Sequence, residues 1–373
     1  MSDDGDRFST DQKRSSRDLE DVRRGLERAL AGHVPEGRDH SVTGLGGTSA
    51  TGMSSETLLF DASWQLEGGR HQERLVARVA PMGDDVPVFP TYDLPGQFLT
   101  IKTVASLTDV PVPPAWWCEP DPSVIGSPFF VMGRVDGEVP SDIPPYSFGE
   151  GWLYEATDEH KARLQDSTVA VLAELHAIPE PEKHFAHLRG ESPGDTALRR
   201  HVASRRYWYE WAARDSGRSA LIEQAFTWLD DHWPAEEGPT VFCWGDSRIG
   251  NVMYRNFEPS AVLDWEMAGL APAETDLAWL GYLHQMFEDM AVAYGFPHMP
   301  DFLRLEDLAT TYERLTGHTP RDLDFYYRYA ALQLAIVYLR TGMRSVRFGE
   351  REVPGDADEL IMNADTLRAL LGA

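Results

Sequence analysis

The 373-residue chain contains only four lysines, Lys13, Lys102, Lys161 and Lys183, and only two cysteines, Cys118 and Cys243. Two cysteines are too few for a disulfide-built scaffold and suit a reducing compartment. Cys243 lies in the apolar run Val241-Phe242-Cys243-Trp244 and reads as a small core residue. Positive charge is scarce: 34 Lys and Arg against 60 Asp and Glu leave a net charge of −26 and a pI near 4.8. That balance disfavours nucleic acid as a partner and is compatible with a cationic substrate. No apolar run approaches the ~20 residues of a transmembrane helix. The start, Met1-Ser2-Asp3-Asp4-Gly5-Asp6, lacks an apolar signal-peptide core, so the expectation is a cytoplasmic protein with no membrane partner. The twelve histidines show no metal-ligand spacing, and no G-x-S-x-G elbow or Cys–His nucleophile arrangement occurs.

What is present is an ordinary globular composition, 42% apolar and 25% charged, on a chain long enough for two lobes. Residues 1 to 15 read as a disordered tail. Ser16 is placed to cap a helix with Leu19, Val22, Leu26 and Leu30 on one face. A Gly-rich segment follows, then strands over Glu56 to Leu66 and Arg74 to Ala80 joined at Gly68-Gly69. Leu94 to Leu107 reads as a helix, and Pro128 to Met132 as a further strand. Beyond it the pattern turns helical. Leu164, Thr168, Val171, Leu172 and Leu175 form one stripe, and Phe325 to Thr341 is apolar enough to be central. The fold class expected is therefore α+β and bilobal, a small β-rich lobe over residues 16–132, a hinge at 133–137 and a helical lobe over 138–373.

The chemistry concentrates in Trp244-Gly245-Asp246-Ser247-Arg248-Ile249-Gly250-Asn251, followed by Ala261-Val262-Leu263-Asp264-Trp265-Glu266. Phosphoryl transfer from ATP needs one carboxylate to take or orient a hydroxyl proton. It also needs an amide oxygen and a second carboxylate to hold Mg²⁺ on the phosphates. Asp246 fits the first role; Asn251 and Asp264 fit the second, with Glu266 a possible addition. Asp, Gly and Asn are also common turn residues, so Gly245 to Asn251 alone would suit a hairpin loop between strands Val241–Trp244 and Val252–Tyr254. The second Asp, closing a third apolar run, favours the catalytic reading.

On these residues the chain resembles the aminoglycoside phosphotransferase-like family of small-molecule kinases, whose catalytic loop reads His-Gly-Asp with Asn five residues on. Trp244 stands where that family usually has His. The resemblance implies a bilobal protein-kinase-like fold with an antiparallel sheet in the first lobe. A protein kinase fits less well, because Asp264 is followed by Trp-Glu rather than Phe-Gly and no Ala-Pro-Glu ending appears.

In the first lobe, Gly44 to Ser55 is a Gly- and hydroxyl-rich string that suits phosphate oxygens, with Ser54 and Ser55 placed to touch them. Leu75-Val76-Ala77-Arg78-Val79 occupies the place of the lysine strand, and it has no lysine. Arg78 takes that position, while Val76 shares its face and is placed to roof the adenine. A solvated strand arginine is the plainer reading of Arg78. The glutamate that pairs with this cation in the family is replaced by Gln97, which offers an amide and no charge. By the resemblance, Gly133 offers its carbonyl and Val135 its N–H to adenine. Thr275-Asp276 reads as a helix cap, and the resemblance gives Asp276 a role supporting the catalytic loop. Arg199, Arg200, Arg205 and Arg206, interleaved with aromatics, read as an amphipathic helix.

The expectation is an ATP- and Mg²⁺-dependent kinase for a hydroxyl of a small molecule: an aminoglycoside, another hydroxylated metabolite, or a hydroxyacyl thioester. The Arg78 and Gln97 variants look closest to kinase domains linked to acyl-CoA dehydrogenases. The alternative is a non-catalytic nucleotide-binding regulatory protein, suggested by the missing Lys and Glu and opposed by the intact Asp246, Asn251 and Asp264.

Overall fold

The computed structural model describes residues 17–47, 55–82 and 86–372. The expected tail, Ser16, Ser54 and most of the Gly-rich string lie outside the described residues. The chain divides into two compact units. The first is Met1–Lys102 with Val112–Asp136 and Asp142–Pro144; the second is Thr103–Pro111, Gly137–Ser141 and Pro145–Ala373.

The first unit is built on α1 (Leu19–His33), β1 (Arg38–Gly47), β2 (Glu56–Leu66), β3 (Gly69–Val79), β4 (Ala115–Glu119) and β5 (Phe129–Gly133); α2 (Leu94–Leu107) follows β3. The strands form one antiparallel sheet in the order β1-β2-β3-β5-β4. Strand residues alternate between the two faces of a sheet. Leu75, Ala77 and Val79 of β3 accordingly go into a core with Phe60, Val131 and the Val22, Leu26 and Leu30 stripe of α1. Val76 and Arg78 take the other face.

Helix α1 is capped by Asp18, whose carboxylate accepts the N–H groups of Glu20 and Asp21. Leu19, expected on the buried stripe, is 47% exposed because it stands at the first helical position, ahead of the packed turn. The helix lies so close to the 124–125 backbone that a Cβ on Gly25 would meet the Val124 carbonyl oxygen at 2.4 Å. Arg17 fixes the entry: its guanidinium, 3% exposed, pairs with Glu56 and donates to the carbonyls of Ala80 and Ile125.

Two strands in this unit differ from the sequence reading. Gly44 to Gly47 belongs to β1 rather than to a loop. It is an edge strand with register shifts, and Gly44, at φ 62°, supplies the left-handed residue that such an irregularity uses. Strand β4 went unread because prolines at 111, 113 and 114 lead straight into it.

The second unit carries α3 (Asp158–His176), α4 (Pro181–His184), α5 (Ala197–Ser216), α6 (Ala220–Asp231), α7 (Glu274–Tyr294), α8 (Leu305–Thr316), α9 (Leu323–Arg347) and α10 (Ala364–Leu371). Helix α9 is its spine, with Phe325 to Leu339 contributing a nearly continuous buried run. The expected stripe of α3, Leu164 to Leu175, is buried as read. Set among these helices are β6 (Val241–Cys243), β7 (Val252–Arg255), β8 (Glu258–Val262) and β9 (Gly269–Ala271). β6 pairs with β9 and β7 with β8, so β6 and β7 are not partners. The turn between them is therefore not a hairpin loop, and the plainer reading of Gly245 to Asn251 falls away.

Candidate active site

Between β6 and β7 the backbone makes a turn that only glycine fits. Gly245 has φ 89°, and a Cβ there would lie 2.1 Å from the carbonyl oxygen of Met267. The turn delivers Asp246 as a nearly buried carboxylate, its side chain 14% exposed. Trp279 of α7 donates its indole N–H to Oδ1 at 2.8 Å, and Asn251 donates Nδ2 to Oδ2 at 2.6 Å. Arg248 adds a longer contact, Nε to Oδ2 at 3.3 Å. The Asn251 amide nitrogen also reaches the Asp246 carbonyl at 3.1 Å. A carboxylate and a carbonyl only accept, so the nitrogen side of Asn251 faces Asp246 and its Oδ1 points elsewhere.

Asp264 follows the end of β8. The N–H of Leu263 donates to the Asn251 carbonyl at 2.8 Å, which ties the residue before Asp264 to Asn251. Asp264 itself adopts a left-handed backbone, φ 59°, a conformation Asp tolerates better than most residues. Trp244, fully buried, donates its indole N–H to the carbonyls of Leu263 at 2.9 Å and Asp264 at 3.3 Å. The indole thereby gives this chain its own link between the turn and the segment carrying Asp264.

Asp276 is not a helix cap: α7 opens at Glu274 and no side chain caps it. Instead the Asp276 carboxylate, fully buried, accepts the backbone N–H of Trp244 at 2.7 Å and of Gly245 at 2.9 Å. His176 makes a third contact to it through Nε2 at 3.1 Å, with Nδ1 on the Tyr312 hydroxyl. Ser247 completes the clamp, donating its hydroxyl to the Asp276 carbonyl at 2.8 Å. Two backbone N–H groups and a hydroxyl thus fix the Trp244–Ser247 turn to the first turn of α7, while the His176 imidazole of α3 holds the same Asp276 carboxylate.

His176, Cys243 and Asp276 form the one cluster of three metal-type ligands that gathers among the described residues. Asp276 and His176 are already spent on the clamp, and burial, reinforced by Asp276, holds the Cys243 thiol far above its usual range. The cluster reads as a structural knot with an inert thiol.

The first unit places its expected residues as follows. Arg78 pairs across the sheet with Thr57 and donates Nη1 to the Thr57 hydroxyl at 2.8 Å. It is half-buried, and Val76 beside it on the same face is buried. Ser55, at the mouth of β2, is 1% exposed. Gln97 is buried on α2, its backbone N–H bonded to Asp93. Gly133 ends β5 and donates to the Pro114 carbonyl, and Val135 lies half-buried in the coil beyond it. Sequence reading missed Trp279 and Ser247. The only signal for Trp279 was its place one turn after Asp276 on the same helix.

A five-stranded antiparallel sheet, a helical second unit, and an Asp–Asn pair in a clamped turn define a kinase-like phosphotransferase fold. The chain belongs to the phosphotransferase enzyme family, whose model matches residues 61–318, well over half of it. Among curated proteins it is similar to acyl-CoA dehydrogenase family member 11 of Rattus norvegicus, 26% identical over 306 residues. That match covers 80% of this chain and 36% of the relative. A second relative is the probable acyl-CoA dehydrogenase IBR3 of Arabidopsis thaliana, 24% identical over 273 residues, 68% of this chain and 31% of the relative. The chain thus spans about a third of these relatives' length. Among solved structures, a putative aminoglycoside phosphotransferase from Ralstonia eutropha has a TM-score of 0.62 at 20% identity, covering 93% of this chain and 96% of that one. Aminoglycoside phosphotransferase APH(4)-Ia, solved with AMP-PNP and hygromycin B, has a TM-score of 0.53 at 16% identity, covering 93% and 98%. These likenesses establish the fold. No helix among the described residues is long and apolar enough to cross a membrane.

Proposed function

We propose that the chain transfers the γ-phosphoryl group of ATP to a hydroxyl of a small molecule, with Mg²⁺ as the metal. The observation that carries the reading is the Asp246–Asn251 pair, with Asp264 tethered to it through the Leu263 N–H and the Asn251 carbonyl. A binding module has no need of a carboxylate held by an indole and an amide on both its oxygens.

Asp246 takes or orients the proton of the attacking hydroxyl. Trp279 and Asn251 fix the plane of its carboxylate, so the acceptor meets a base that does not have to reorganise. The donor set suits a hard cation: Asn251 keeps Oδ1 for it, and Asp264 supplies a carboxylate, the oxygen ligands that Mg²⁺ takes. When bound, the metal neutralises charge on the phosphates. Arg78 is assigned to the phosphates in place of lysine, with Ser54 and Ser55 alongside. Val76 is assigned to the adenine face, Gln97 to support of Arg78, and Gly133 and Val135 to the adenine edge through backbone groups.

The acceptor is a hydroxylated metabolite. The acyl-CoA dehydrogenase names of the curated relatives favour a hydroxyacyl thioester over an aminoglycoside. The test is an ATP-consumption screen of hydroxylated thioesters, hydroxy acids and aminoglycosides, read by product mass, on wild type and Asp246→Asn. The expected result is a product heavier by one phosphoryl group that the variant makes ~10²–10⁴ times more slowly. An Asp246→Asn variant with near-full turnover would remove Asp246 from the chemistry.

A further inference from the structure

Arg248 is the only cation in the turn from Trp244 to Asn251, and its backbone is tied to both members of the Asp246–Asn251 pair. Its N–H donates to the Asp246 carbonyl at 2.9 Å, and its own carbonyl accepts the Asn251 N–H at 2.9 Å. The residue is extended, φ −130° and ψ 150°, and the chain turns into a short 3₁₀ helix immediately after it. The two backbone bonds set the arginine between the carboxylate assigned to the acceptor hydroxyl and the amide assigned to the metal.

The side chain adds little to the orientation of that carboxylate. Trp279 and Asn251 already hold Asp246 at 2.8 and 2.6 Å. Arg248 meets Oδ2 through Nε at 3.3 Å, outside the ~2.7–2.9 Å of a charge-assisted bond. Both side chains keep some surface, 19% for Arg248 and 14% for Asp246, so a reactant that touches one can touch the other.

The use of this charge follows from the phosphotransfer reading, on which the inference rests. The acceptor hydroxyl oxygen lies within ~3 Å of Asp246, and attack brings the γ-phosphorus a further ~3–3.5 Å away. A guanidinium 3.3 Å from the same carboxylate is then within reach of the phosphoryl oxygens. In the step itself a bond forms from the hydroxyl oxygen to the γ-phosphorus. The bond from that phosphorus to the β–γ bridging oxygen breaks, ADP leaves, and the hydroxyl proton passes to Asp246. Negative charge spreads over the three equatorial oxygens, where a fixed cation acts most strongly. We propose that Arg248 is a further catalytic residue, the cation that stabilises the transferring phosphoryl group from the acceptor's side. Arg78, by contrast, is assigned to the phosphates of bound ATP. A loose transition state asks little basicity of Asp246, so a cation beside it does not hinder the step.

The test uses the full chain with Arg248→Gln, Arg248→Lys and Asp246→Asn, supplied with ATP and the acceptor found by the screen above, or with water as acceptor. Turnover is read beside calorimetric binding of AMP-PNP and thermal unfolding. For Arg248→Gln the expected result is a kcat lower by ~10²–10³, with KM for ATP and AMP-PNP affinity within about threefold of wild type. Arg248→Lys should recover part of kcat, since it keeps the charge and loses the planar fork. Near-full kcat in a folded Arg248→Gln, with Asp246→Asn inactive, overturns the role of Arg248 and leaves the phosphotransfer reading standing. AMP-PNP affinity that falls as far as kcat/KM also overturns it, because Arg248 would then serve the bound ground state. An active Asp246→Asn overturns both. Arg248→Met, of similar length, carries the same comparison where Arg248→Gln does not fold.

Discussion

Trp279 points its indole N–H at one oxygen of Asp246, 2.8 Å away, from a helix that begins five residues earlier and also holds the backbone of the turn carrying Asp246. Helix α7 thus fixes both the chain around Asp246, through Asp276, and the carboxylate itself. Trp279→Phe keeps the ring's bulk and removes the hydrogen bond. A bond to a charged group is worth ~1.5–3 kcal/mol, so kcat is expected to fall roughly ten- to a hundredfold with KM for ATP little changed. A variant whose KM rises while kcat holds would show that Trp279 serves ground-state binding, not the orientation of Asp246.

How much of this was legible beforehand depends on the range of the interaction. The Asp246, Asn251 and Asp264 spacing is local and stood in the sequence, as did the strands Glu56 to Leu66 and the helix Leu94 to Leu107, whose patterns are unbroken. The Trp279 to Asp246 bond joins residues 33 apart, and the Ser247 to Asp276 bond residues 29 apart. Periodicity carries no trace of such pairings. Asp276 misled the capping reading because an acidic residue before an apolar run looks the same whether it caps its own helix or serves a neighbouring turn. Trp244 stands where the family usually has His, and its indole N–H reaches the Leu263 and Asp264 carbonyls, a pairing that no local pattern shows.

Gly245→Ala is expected to be among the most damaging single-methyl changes in the second unit. The left-handed backbone alone costs an Ala about 1 kcal/mol, and here the new Cβ collides with the Met267 carbonyl rather than with a side chain that can rotate away. Chemical denaturation should show a loss of at least ~2 kcal/mol. A loss below about 0.5 kcal/mol, within the range of ordinary surface changes, would mean that the turn has room the geometry does not show.

Stability should fall in mild acid through His284. The imidazole is buried on α7; Nε2–H donates to the Met299 carbonyl at 3.2 Å, and Nδ1 accepts from the Tyr146 hydroxyl at 2.8 Å. Burial lowers its pKa from the usual 6.5 to about 4. Between those values the unfolded chain binds the proton and the folded chain does not, so stability rises with pH there and drains away as pH falls from 6.5 toward 4. The full effect is on the order of 3 kcal/mol. His201, also held neutral by burial, acts in the same direction, while Glu288, whose pKa burial raises, acts in the opposite one. His284→Gln should therefore flatten, without abolishing, the slope of unfolding free energy between pH 4 and 6.5. An unchanged slope would show that His284 takes up its proton without unfolding.

Arg78 is the sharpest departure from a lysine-bearing nucleotide strand, and its behaviour separates a working site from a decorated sheet. The guanidinium lies half-buried on the face opposite the first unit's core and shares it with Val76. It donates to Thr57, so a purely structural role would make Arg78 a brace between β2 and β3. The two roles predict different patterns. As the phosphate cation, Arg78→Ala should raise KM for ATP and lower kcat, and Arg78→Lys should recover part of each, because lysine keeps the charge but not the planar fork. As a brace, both variants should lower the unfolding midpoint and leave ATP kinetics intact, with Thr57→Val giving the same loss. Steady-state kinetics and thermal unfolding on these three variants decide between them. Kinetics matching wild type in Arg78→Ala would move the phosphate role elsewhere, with Lys102 on α2 the first residue to test.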